Sequence, residues 1–170
     1  MKIATLCGSI RKESSNYSIL KAVGKYFDGH QCINLDLSVL PFFDPDNQYG
    51  DDVPPSVLKM REIVAASDLL IISTPEYAHG IPGILKNGLE WIFCAETGKT
   101  PVAIIIGSAQ GEWARDQLIE VLTTMDFEIF INQTLIINGA RVKIDRDGNF
   151  LDTETRNTCE KFLNSLMVLL

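Results

Sequence analysis

Five stretches of the chain are apolar without strict alternation. Residues 2–7 (KIATLC), 68–73 (DLLIIS), 102–107 (VAIIIG) and 128–137 (EIFINQTLII) are nearly continuous, and residues 31–37 (QCINLDL) form a weaker fifth. Continuous hydrophobicity over so few residues predicts strands covered on both faces, as in a parallel sheet. Between them the period becomes helical. Residues 16–27 set Ile19, Leu20, Val23 and Phe27 in one stripe. Residues 54–66 open on two prolines, which a first helical turn accepts, and carry Val57, Met60, Ile63 and Val64. Residues 82–93 carry Ile84, Leu85, Leu89 and Ile92, and residues 111–125 carry Leu118, Ile119, Leu122 and Met125. A last helix over 153–170 aligns Cys159, Phe162, Leu163, Leu166, Met167 and Leu170.

Strand and helix therefore alternate five times. Connections of this length imply right-handed crossovers and helices on both faces of the sheet. The expected fold class is α/β, a three-layer, doubly wound, five-stranded parallel sheet in the flavodoxin-like order 2-1-3-4-5. A length of 170 residues corresponds to one domain over 1–170. With 46% hydrophobic and 22% charged residues the chain is an ordinary globular mixture, which excludes disordered, collagen-like and solenoid classes. The longest irregular stretch, 41–52 (PFFDPDNQYGDD), reads either as a mobile surface loop or as a functional or interface segment.

Charge and cysteine content narrow the partners. A net charge of −7 suits neither nucleic acid nor an anionic membrane surface, although a local cluster of donors can still hold a small anion. Cys7, Cys32, Cys94 and Cys159 have long irregular spacings, and with two histidines they form neither a disulfide framework nor a zinc signature. The first residues are too soon interrupted by Gly8, Ser9 and Arg11 to read as a signal peptide, and no apolar run reaches the roughly 20 residues of a membrane span. The expectation is a reduced, soluble, cytoplasmic protein without a metal site.

In such a sheet a ligand lies beyond the carboxyl ends of the strands, at the switch point between strands 1 and 3. Three loops reach that place. The first, residues 8–16 (GSIRKESSN), joins a strand to a helix and adds the hydroxyls of Ser9, Ser14 and Ser15, the amide of Asn16 and the guanidinium of Arg11. Neutral donors, one forked cation and a helix terminus suit a phosphate monoester. The loop is neither GxxxxGK[ST] nor GxGxxG. Plain helix capping would explain one Ser or Asn but not the rest. The second loop, residues 74–83 (TPEYAHGIPG), holds two prolines and two glycines; it is either a rigid connector or a ring-facing turn. His79 and Glu76 in it read equally as solvated polar groups. The third, residues 107–113 (GSAQGEW), permits close backbone approach at Gly107 and Gly111, and Ser108 is either a donor or a cap. Together the three loops suit a mononucleotide with a large planar head group.

At these residues the sequence resembles the NADPH-dependent FMN reductase family, which includes flavodoxin-like quinone, azo-dye and chromate reductases. Residues 8–16 match its GSxRxxSxN pattern, and residues 75–91 (PEYAHGIPGILKNGLEW) resemble its PEYNxSxPGxLKNAxDW pattern. Weaker echoes extend the likeness over most of the chain. The resemblance implies that Ser9, Arg11, Ser14 and Asn16 hold the FMN phosphate. It implies that Pro75, Glu76, Tyr77, Ala78, His79 and Gly80 lie along the isoalloxazine edge, mostly through backbone atoms, and that Ser108 flanks the ring. Ala78 and Gly80 stand where the family pattern has Asn and Ser, and the third loop reads GEWARDQ in place of GGxRA.

The resemblance further implies NADPH or NADH as co-substrate, a small-molecule electron acceptor (quinone, flavin, azo dye or metal oxyanion) and a homodimer or homotetramer with the flavin near the subunit boundary. The 41–52 loop and the helix carrying Leu85, Leu89 and Trp91 are the candidate contact surfaces; the alternative for Trp91, Ile92 and Phe93 is core packing. A bound flavin carries the redox chemistry itself, so no catalytic side chain is assigned. The competing reading is a non-enzymatic flavin-binding electron carrier or sensor. Arg11 argues mildly against the carrier. A scaffold that has lost its ligand is a third.

Overall fold

The computed structural model describes residues 1–93, 100–127 and 129–168, so Cys94 and the ends of two expected elements, at Glu128 and at 169–170, lie outside it. Five parallel strands, β1 (Lys2–Cys7), β2 (Gln31–Leu35), β3 (Leu69–Thr74), β4 (Val102–Ile106) and β5 (Ile129–Ile136), stand in the order β2-β1-β3-β4-β5. The helices are α1 (Ser15–Tyr26), α2 (Pro55–Ala65), α3 (Gly83–Phe93), α4 (Glu112–Thr124), α5 (Ala140–Lys143) and α6 (Thr153–Met167). Strand order, parallel pairing and element order match the expectation from hydrophobic patterning.

Two apolar cores explain the lack of alternation. Ile3, Leu69, Ile71, Ala103 and Ile105 face α1 and α6, while Ala4, Leu6, Leu70, Ile72 and Ile104 face α2, α3 and α4. Every residue of β3 is buried, so neither face can tolerate a polar position without a partner. The edge strand β2 is covered less well, which is why its pattern is weakest.

Differences from the expected elements have local causes. β2 stops at Leu35 because the Asp36 carboxylate accepts the Ser38 N–H at 2.8 Å and turns the chain into a 3-10 turn at Leu37–Val39. The 41–52 stretch contains two further 3-10 turns, Pro45–Asn47 and Gly50–Asp52. Its start is pinned to α3, since Pro41 O accepts from both Asn87 Nδ2 and Trp91 Nε1 at 2.9 Å. Leu85, Leu89 and Trp91 are fully buried, so these apolar residues of α3 face the core and not a partner. Ile92 is buried as well, and only Phe93 is half-exposed. The four-residue α5 carries too little pattern to be read from sequence.

One buried side chain ties the switch point together. Asn16, 1% exposed, opens α1. Its Nδ2 donates to Gly107 O at 3.1 Å, and its Oδ1 accepts from Gly107 N–H at 3.1 Å and from Ser73 Oγ at 2.9 Å. The helix after β1 is thereby joined to the ends of β3 and β4. Replacing Asn16 by Ala strands two buried partners, Gly107 O and Ser73 Oγ, and we expect a loss of about 1–3 kcal/mol in stability, read as a lower urea midpoint. An unchanged midpoint contradicts this role.

Candidate functional site

The three expected loops emerge side by side at the carboxyl edge. Gly8 N–H donates to Ser73 O at 2.8 Å, and Gly107 N–H donates to Thr74 O at 3.0 Å. There is no space for a side chain at either glycine. A Cβ on Gly8 would stand 2.2 Å from Thr74 Oγ1, and one on Gly107 would stand 2.6 Å from Asn16 Oδ1.

In the first loop Ser9 and Ser14 are buried, whereas Arg11, Lys12 and Glu13 are exposed. Ser14 is the N-cap of α1, its Oγ accepting the Asn16 N–H at 3.3 Å, and Ser9 Oγ accepts the Arg11 N–H at 3.3 Å. Capping therefore accounts for Ser14 and stapling for Asn16. Arg11 is not accounted for in this way. Among the described residues its guanidinium has no partner, and the N–H groups of Ile10, Lys12, Glu13 and Ser15 have no protein acceptor. These groups cluster at the positive end of a twelve-residue helix. Beneath the loop lies Cys7, where burial pushes the thiol up to about 11, outweighing the Ser9 N–H and Ser14 hydroxyl that favour the thiolate. It stays protonated near neutral pH and is no nucleophile.

The second loop is a tight turn clamped onto α4. Tyr77 N–H donates to Gly80 O at 2.9 Å and Gly80 N–H to Tyr77 O at 3.1 Å. The two residues between them, Ala78 (φ 50°) and His79 (φ 59°), are both left-handed, which makes the turn a type I′ hairpin. Three contacts hold it down. Glu76 Oε2 accepts the Ala114 N–H at 3.0 Å, Gln117 Oε1 accepts the Ile81 N–H at 2.7 Å, and the rings of His79 and Trp113 meet at 5.8 Å and 89°. Gly80 leaves the room that Gln117 needs, because a Cβ there would lie 2.7 Å from its Oε1. Pro75 is buried, Glu76 and Gly80 are half-buried, and Tyr77, Ala78 and His79 are exposed.

In the third loop Ser108 is half-buried and its carbonyl accepts the Gly139 N–H at 3.0 Å. Gly111 starts α4 with φ 151°, and a Cβ there would stand 2.6 Å from Ile106 Cγ2. The structure thus brings the predicted residues of all three loops to one rim. Gln117 and Trp113 were missed as partners of the second loop, and no local signal marks them. They lie on the next crossover helix, more than thirty positions away. A separate groove of about 540 Å³ between α3 and α4, lined in part by Phe43, Phe93, Val121 and Met125, lies on the flank of the domain.

Left-handed Ala costs about 1 kcal/mol relative to Asn, whose short polar side chain tolerates that region. Ala78→Asn should therefore raise stability by up to that amount, seen as a higher thermal midpoint, and a fall would show that the turn is not under this strain.

The profile of the NADPH-dependent FMN reductase family matches residues 1–141. The NAD(P)H-dependent FMN reductase of Pseudomonas aeruginosa is 28% identical, over 99% of this chain and 94% of that protein. The 2-hydroxy-1,4-benzoquinone reductase of a Burkholderia species is 28% identical over 96% of this chain and 93% of its own length. Among solved structures, the flavoenzyme NAD(P)H:(acceptor) oxidoreductase FerB of Paracoccus denitrificans superposes with a TM-score of 0.86 at 26% identity, covering 96% of this chain and 93% of that one.

Proposed function

Since the chain belongs to the NADPH-dependent FMN reductase family, and is an NAD(P)H-dependent, FMN-using oxidoreductase, we propose that it holds the FMN phosphate at the amino end of α1. The observation that carries this is the unpartnered Arg11 guanidinium beside backbone N–H groups that lack acceptors. A dianion at a helix start, met by a forked cation, satisfies all of them at once. Ser9 and Ser14 contribute hydroxyls at the floor, and Asn16 acts mainly by fixing the start of the helix.

The residues present fit the rest of the group. The 75–80 turn, held rigid by α4, offers backbone atoms to a ring edge, and Ser108 bounds the site from the third loop. Bound there, FMN would supply the two-electron redox chemistry that links the reduced nicotinamide to the acceptor. The chain binds and orients; we assign no side chain as acid, base or nucleophile. The proposed acceptor class is a small oxidant such as a quinone or flavin.

We extend the reading to one domain working in the reducing cytoplasm, for which the free thiols of Cys7, Cys32 and Cys159 speak. Among the described residues no helix is long and apolar enough to cross a membrane. The groove between α3 and α4, which half-exposed Phe93 lines together with Phe43, Val121 and Met125, supports a homodimer or homotetramer joined there. Sedimentation of Phe93→Asp should then show a smaller species than the parent; equal masses would refute the placement of the interface.

Arg11→Ala should raise the Kd for FMN at least about 10-fold, the worth of a charge-assisted bond, and leave that for riboflavin unchanged. Flavin fluorescence quenching reads both. Equal effects on the two flavins, or none, would overturn the phosphate assignment. The holoprotein should also oxidise NADPH with no partner reductase, which a pure electron carrier would not do.

A further inference from the structure

Two large aromatic side chains stand in solvent at the rim of the site. Tyr77 is 52% exposed and Trp113 is 59% exposed. Core packing explains neither. Of the two, Trp113 is the one with a ring contact to the second loop. It is the second residue of α4, the next N–H, that of Ala114, is bonded to Glu76, and its ring meets His79 edge-to-face. Such a contact covers at most one face of the indole. His79 reaches it only because two successive residues adopt left-handed backbone, a strain of the kind kept where function requires a geometry.

Among the charges beside this indole the carboxylates predominate, with Glu76, Glu112 and Asp116 against Arg115. The amino end of α4 is where an anion would be expected to bind. Here two of its N–H groups are already taken by the protein's own carboxylates, Glu76 on Ala114 at 3.0 Å and Glu112 on Gly111 at 3.1 Å. The neighbouring cation Arg115 is paired with Asp116 at 2.7 Å.

Resting on the flavin reading above, we propose that Trp113, oriented by His79, is the platform on which the electron acceptor stacks. The acceptor it selects is a neutral planar aromatic and not an oxyanion. The open indole face supplies dispersion and π contact to a flat ring, whereas Glu76 and Glu112 repel a small anion at the same place.

The test uses the FMN-loaded protein with Trp113→Ala and Trp113→Phe. Calorimetry with 2-naphthol, which is planar and accepts no hydride, should show binding to the parent and to Trp113→Phe and about 10-fold weaker binding to Trp113→Ala. In turnover, Trp113→Ala should raise the KM for menadione by a similar factor relative to any change seen with ferricyanide, and Trp113→Phe, which keeps a ring against His79, should match the parent with both acceptors and in its Kd for FMN. Chromate should be reduced with a kcat/KM well below that of menadione. Unaltered naphthol affinity in Trp113→Ala, or a parallel loss with ferricyanide, overturns the platform; parity of chromate and menadione overturns the charge selection. If the parent oxidises no NADPH with any acceptor, the reductase reading fails, and the naphthol titration still decides the platform.

Discussion

The architecture depends on how closely three strand ends approach one another at the switch point. Gly8 and Gly107 have no room for a Cβ, and the gap between them is bridged by the buried amide of Asn16. That amide links a helix start to a strand end 91 residues away. A buried amide must satisfy its donors and acceptors or lose several kilocalories. The requirement therefore selects one register for β1, β3 and β4 together. The loops that follow inherit the register. The amino end of α1, the 75–80 turn and Ser108 share one rim because the strands beneath them cannot slide.

The second loop shows the opposite balance. Its left-handed Ala78 and His79 are unfavourable by about 1–2 kcal/mol each on backbone grounds. They persist because the surroundings over-determine the turn: the Tyr77–Gly80 pair of hydrogen bonds, Glu76 on Ala114, Gln117 on Ile81 and the His79–Trp113 contact. Three of those five interactions come from α4. The helix is thus a jig for the loop, and the loop in turn caps the helix, whose own N-cap Gly111 has no side chain to do so.

Which features were legible in the sequence follows from range. The strands were legible because burial on both faces leaves an uninterrupted apolar run, as in β3 and β4. The first loop stood out as a candidate because GSIRKESSN concentrates its donors within nine residues. Glu76 looked like an ordinary loop carboxylate, since its partner, the Ala114 N–H, lies 38 positions on. Asn16 read as a phosphate donor for the same reason. Leu85, Leu89 and Trp91 were placed on an interface helix because an apolar stripe does not say which neighbour it meets. Trp91 meets Phe43 at 5.0 Å and gives its N–H to Pro41, both contacts across the chain and invisible to periodicity.

A chain of net charge −7 can still hold a dianion if the nearest carboxylate is disarmed. Glu13 is that carboxylate, two positions after Arg11 and two before the helix begins. Its Oε1 is paired at 2.6 Å with Arg146, on the turn between α5 and α6. As an exposed pair this contributes about 0–1 kcal/mol to stability. Unpaired, Glu13 would set a negative charge beside the anion and offset Arg11. Paired, it leaves Arg11 and Lys12 as the uncompensated charges at the helix start. The turn between α5 and α6, with no residue in the proposed site, thereby adds to the positive potential at the start of α1.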